Sequence, residues 1–401
     1  MIVTMSKKRI QDAFSKGGGI FRLAPSWVPR PFNKPGKRLK LHPDDYYAYG
    51  IHNGAIVERW FSSVTNVITP GGAEDIGLSY VDTDGTTEGK VLFREALSEL
   101  GADLIGQELK EKYGTFPMYA KFYDYQYALF HHMHHGQEAA ELVGMNAKPE
   151  HYYFPAQYNN HPGDFPVTYF GFDPGVTKEE VMDCLRDFNN FDTRITRLSR
   201  AYRLEVGTGW YTPPRVLHAP GSLLTYEPQW NSDAFSVWEN IVSGEPMSYK
   251  LLASCIPEDK EHDLDYIFNL MDWEANICPD YRERYFHPPI PCGESPEYSE
   301  KWICYGNPYI AAKEITVNPG HTYIAKDEAA YGCVVAQGYG SFGAHRCEAA
   351  NMIRFGQLSA DEFFVSEDAA RAGVKIKNDA VYEPLVILKH FGPNCNMPDA
   401  K

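Results

Sequence analysis

From Met118 to Leu129 the chain keeps a period of two. Tyr119, Tyr123, Tyr125, Tyr127 and Leu129 alternate with polar residues such as Asp124 and Gln126. Side chains at i and i+2 of a strand leave the same face of a sheet, so this stretch predicts a half-buried strand. It runs without a break into His131-His132-Met133-His134-His135. If the period holds, His132 and His134 share one face, while His131, Met133 and His135 share the other. Two imidazoles in that relation can grip one divalent cation at ~2.0–2.1 Å from each nitrogen.

Elsewhere the pattern is of short strands punctuated by proline and glycine: 203–206, 215–218, 223–230, 331–335 and 385–389. An aromatic content of 14%, with 27 Tyr and 22 Phe, suits strand-rich interiors. Helical spacing returns over about 90–114 (Phe93, Leu97, Leu100, Leu104, Leu109), over 136–143 and over 264–273. Thr177-Lys-Glu-Glu180 ahead of Val181, Leu185 and Phe188 is a capping box opening a helix to about 190. Pro288, Pro289 and Pro291 mark a linker, and Gly338 to His345 reads as a turn between strands. Two stretches of short strands separated by helical material predict a mainly β protein with a helical insert and two β-barrel domains.

Charge excludes some partners. The 401 residues carry a formal net charge of -15, which disfavours nucleic acid. Against that balance the first 40 residues hold ten Lys/Arg and one Asp, and with their prolines they predict an extended basic arm lying on the body or on a neighbouring subunit. No apolar run reaches the ~20 residues of a membrane span, and no apolar segment of signal-peptide length follows the basic start. The eight cysteines form no C-x-x-C pair. A cytoplasmic protein with reduced thiols is expected.

Glu150, stiffened by Pro149, and His218, at the end of a strand-like segment closed by Pro220-Gly221, could complete a mixed nitrogen and oxygen shell for Zn, Fe, Mn or Ni. Spacing alone does not bring them to the 132/134 pair.

At these residues the sequence resembles the class I phosphomannose isomerases of the cupin superfamily. The motifs are Glu58-Arg-Trp60, Gly114-Thr-Phe-Pro117 with Lys121, the Leu129–Glu141 stretch with His132 and His134 at its metal positions, Lys148-Pro-Glu150, His218-Ala219, Glu227 and Ser232-Asp233. The resemblance implies a bicupin, with two jelly-roll β-barrel domains. In that division residues 1–50 are the basic arm, 51–250 the metal-binding cupin domain, 251–299 a helical linker and 300–401 a second cupin-like domain. It also implies one divalent metal ion, zinc first, held by His132, His134, Glu150 and His218.

The departures bear on substrate. Val237 stands where the family has an arginine of the sugar-phosphate pocket, Pro220 replaces a tyrosine, and Phe130 replaces a serine. A phosphate dianion needs such charge-assisted donors, so the expected substrate is a small non-phosphorylated sugar or sugar acid. Lys121, Phe130, Asp233 and Trp238 are the expected substrate-binding residues, with the Asp233 carboxylate also bonding turn backbone. The expected reaction is aldose–ketose isomerisation through an enediol, with Glu227 as the proton-transferring base and Lys148 stabilising charge or relaying a proton. Two other classes suit the same metal set: a cupin dioxygenase, and a non-catalytic metal-containing sugar-binding bicupin. A homo-oligomer could form through the arm.

Overall fold

The computed structural model describes residues 2–67, 74–242 and 244–399. Alternating apolar residues build the strands, and four sheets of at least four strands follow. The first has seven strands in the order Phe286–His287, Gly209–Thr212, Glu150–Tyr153, Thr225–Trp230, Met118–Tyr123, Ala55–Phe61 and Ser26–Arg30. The second has five: Ser199–Arg203, Val167–Phe172, His218–Ala219, His132–Met133 and Ser236–Val237. All the pairings in both are antiparallel.

A nine-stranded sheet built mainly from residues 290–391 and a four-stranded sheet within 322–378 enclose a separate apolar cluster that includes Ile315, Tyr331, Val335, Phe363 and Ile387. The protein is therefore mainly β with short helices. Glycine-rich 338–345 is mostly strand, Tyr339–Phe342 turning into His345–Glu348, rather than turn throughout.

The first fifty residues are not an extended arm. Ile2–Lys16 is helical. Ile20–Ala24 lies inside the nine-stranded sheet, between Glu362–Val365 and Tyr80–Asp82. Ser26–Arg30, buried at every position, pairs with Ala55–Phe61 at the edge of the seven-stranded sheet. An edge strand can carry proline because one side of its backbone needs no ladder bond, and the register shifts at Pro29. The segment thus packs on its own chain and gives a strand to each of the two largest sheets.

The helix expected over 90–114 is a strand, Lys90–Leu92, and three short helices, Phe93–Leu100, Ala102–Ile105 and Gln107–Tyr113. Gly101 and Gly106 break it at φ of 52° and 81°, a backbone region that ends helices. The capping box holds: the Thr177 side chain accepts from Glu180 N, and the Glu180 carboxylate accepts from Thr177 N at 2.8 Å. Its helix, Lys178–Arg186, buries Val181, Met182, Cys184 and Leu185 with Met133, Trp238 and Phe268 in one apolar cluster. No helix among the described residues is long and apolar enough to cross a membrane, and all eight cysteines are unpaired.

Candidate metal centre

Period two decides which side chains meet. Met133 points into the helical cluster, so His132 and His134 emerge on the opposite face of the five-stranded sheet. His218 is paired directly across from His132. From the seven-stranded sheet, Glu150 lies opposite Gln229 and Glu227 opposite Lys121.

The donor atoms of His132, His134 and His218 all lie within 4.8 Å of one another, and all three residues are buried. Glu150 closes the group, with Oε2 3.1 Å from His134 Nε2 and Oε1 3.1 Å from His218 Nε2. The four residues read as ligands from the sequence therefore converge.

The rings are oriented from behind. His132 Nδ1 faces the Phe130 carbonyl at 3.0 Å, His134 Nδ1 that of Ala234 at 2.7 Å, and His218 Nδ1 that of Val216 at 2.8 Å. A carbonyl only accepts, so each Nδ1 carries the hydrogen and each Nε2 turns a lone pair inward. Two lone-pair atoms such as His218 Nε2 and Glu150 Oε1, 3.1 Å apart and buried, repel unless something positive lies between them. Among the described residues His218 Nε2 indeed has no hydrogen-bond donor or acceptor satisfying it. Protonated rings are no remedy: burial first, then its two histidine neighbours, push His132 well below the ordinary value, and burial with Lys148 brings His134 to about 3. Burial works against ionisation of Glu150, yet Lys148 and His134 hold its carboxyl well below the usual range. Neutral imidazoles backed by carbonyls, with one carboxylate, fit a divalent cation.

Beside this group Lys148 Nζ stands 3.3 Å from Glu150 Oε2 and 3.9 Å from Glu227 Oε1. Lys121 Nζ is 3.1 Å from the same Glu227 oxygen. Burial, and then Glu150, raise the Glu227 pKa to about 8 against the pull of the two lysines. Glu227 is thus a buried carboxyl of raised proton affinity set between two ammonium groups.

A small cavity of about 30 Å³ faces the histidines, room for roughly two waters. Lys121, Phe130 and Asp233 line it, as do Phe32, Phe235 and Arg30. Trp238 does not; it lies in the helical cluster, its Nε1 donating to Ser236 Oγ at 3.0 Å. Val237, opposite His132 on the neighbouring strand, is fully buried among Phe130, Tyr152 and Phe170 and is not one of the cavity's lining residues.

Sequence reasoning missed Arg30. Its guanidinium makes paired bonds to Glu58 (3.0 and 3.3 Å) and to Asp233 (3.2 and 3.0 Å). Asp233 thus braces an arginine, a role beyond the turn bonding expected of it. Also missed was Tyr152, whose hydroxyl donates to Glu150 Oε1 at 2.9 Å. Alternation in Ser26-Trp-Val-Pro-Arg30 was the available signal for Arg30, masked by the prolines. His131 bonds Glu239 (3.1 Å) and His151 bonds His287 (3.2 Å), both facing away from the cavity.

No protein-family model matches this chain, and none of the curated proteins searched does. Solved structures do share its fold, phosphomannose isomerases among them. The mannose 6-phosphate isomerase of Bacillus subtilis is 18% identical, over 93% of this chain and 99% of that one, with a TM-score of 0.60. A variant of the Salmonella typhimurium phosphomannose isomerase is 10% identical over 93% and 99%, at 0.58. A mannose 6-phosphate isomerase bound with zinc and yttrium has the same identity, coverage and score. At such identities the likeness establishes the fold.

Proposed function

We propose that the protein is a metal-dependent aldose–ketose isomerase acting on a non-phosphorylated sugar. The observation that carries this is the convergence of three neutral imidazoles and Glu150 within reach of a raised-pKa carboxylate, Glu227, flanked by two lysines. In this reading residues 51–250 form the metal-bearing cupin unit, residues 300–401 the second, and 251–299 the helical linker, with the first fifty residues contributing strands to both.

His132, His134, His218 and Glu150 hold the cation, zinc being the expected ion for a nitrogen-rich set and Fe, Mn or Ni the alternatives. When bound, the ion would supply Lewis-acid stabilisation of the charge that develops on the sugar. Glu227 removes the proton from C2 and returns it to C1. Lys148 carries the hydroxyl proton from O2 to O1 and offsets the negative charge between the two transfers. Lys121 holds Glu227 in place through the 3.1 Å contact.

Absence of phosphate from the substrate is supported by Arg30, the arginine lining the cavity, whose donors are already engaged by two carboxylates. Phe32, Phe130 and Phe235 offer apolar faces in place of hydroxyl donors. The test is incubation of metal-loaded protein with free and phosphorylated aldoses in deuterated water. Deuterium entering C1 or C2 of a free sugar is expected. Oxygen uptake without exchange would transfer the site to dioxygenase chemistry.

A further inference from the structure

Phe32 has two sides. One lines the cavity before the histidines. The other is a wall of a second, open groove of about 420 Å³, within the ~300–1,000 Å³ range of small-molecule sites. The Phe32 and Phe130 rings, which both line the inner cavity, meet edge-on with centroids 4.8 Å apart. Phe32 is thus a wall common to the two spaces.

The groove has the chemistry of a carbohydrate platform. Tyr47, Tyr127 and Ile51 leave 47%, 38% and 66% of their surface bare along it, and such bare apolar surface marks recognition sites. Tyrosine combines a flat apolar face for the C–H side of a pyranose with a hydroxyl for its polar edge. Asn33, Lys34 and Glu245 supply further polar groups around it. The one cation and one anion balance, so the groove favours an uncharged guest.

We propose that this groove is an outer subsite for a second, uncharged sugar unit, which makes the substrate class a reducing disaccharide whose free end enters the His/Glu cavity. The inference rests on the isomerase reading for its inner end. Isomerisation needs only the carbonyl carbon and its neighbour, so the glycosidic linkage stays intact and no further reactant is required.

The experiment compares glucose and mannose with cellobiose, maltose and lactose for deuterium exchange by the metal-loaded protein. The double variant Tyr47→Ala/Tyr127→Ala is run beside the wild type. At least a tenfold higher kcat/KM for one disaccharide is expected, with that ratio collapsing toward one in the variant. Both side chains are exposed, so folding is checked by an unchanged melting curve. Exchange into monosaccharides with no disaccharide preferred overturns the subsite and leaves the isomerase reading standing. Exchange into nothing overturns the isomerase reading, and calorimetric titration with cellobiitol, which cannot isomerise, then decides the groove. Saturable binding that the variant loses upholds it; equal or absent binding in both proteins overturns it.

Discussion

Lys121 and Glu227 face each other across neighbouring strands, Nζ 3.1 Å from Oε1, with Lys148 Nζ 3.9 Å from the same oxygen. One carboxylate between two ammonium groups is held in position, yet burial and Glu150 keep its proton affinity high. That combination suits a group that must take a proton from carbon and give it back.

Replacing it therefore separates binding from chemistry. Glu227→Gln is expected to keep a full complement of metal while lowering solvent exchange by at least ~10²-fold, the usual contribution of a positioned base. Exchange measured by NMR at wild-type rate in this variant would remove Glu227 from the mechanism.

Val237 gives a second test. Although it takes the place of a family arginine, it lies in an apolar cluster, opposite His132 on the neighbouring strand. Val237→Arg would bury an unpaired charge, so it is expected to destabilise the fold by about 3 kcal/mol or more and to create no phosphosugar affinity. Denaturant unfolding and titration with mannose 6-phosphate check the two parts.

Glu362 sets a pH dependence of stability. Arg59 is claimed by Asp361 at 2.7 and 2.8 Å and gives Glu362 one bond at 3.2 Å, beside one from Ser62 N at 3.4 Å. Burial, outweighing Arg59, then raises the Glu362 pKa from 4.5 to about 8. Between those values the folded chain holds a proton that the unfolded chain has released, so this group's contribution falls as pH rises through the window. Melting curves from pH 5 to 8 should show a decline that Glu362→Gln flattens; equal slopes in the two proteins would refute the assignment.

Much of the site was legible because it depends on local periodicity. The i, i+2 rule sorted five consecutive residues, sending His132 and His134 one way and Met133 the other. The turn at Pro220-Gly221 suggested that Glu227 returns beside the His218 strand; instead the chain crosses to the seven-stranded sheet, where Glu227 lies on the strand next to that of Glu150. What was hidden depends on contacts between distant segments. Arg30 reaches Asp233 across 203 positions, and the prolines around it suggested an extended arm lying on the body or on a neighbouring subunit, whereas Pro29 sits in a strand at a sheet edge. Trp238 follows a strand of only two residues, Ser236–Val237, too short for alternation to fix its side. The helix after residue 90 breaks where Gly101 and Gly106 take positive φ, which apolar spacing does not register.

The central claim is that His132, His134, His218 and Glu150 hold one cation between the sheets, and elemental analysis of purified protein tests it most directly. The wild type should carry close to one equivalent of a divalent transition metal, and His218→Ala, folded by circular dichroism, less than a tenth of that. A wild type that takes up no metal after reconstitution, or a His218→Ala protein that retains it in full, would contradict the account.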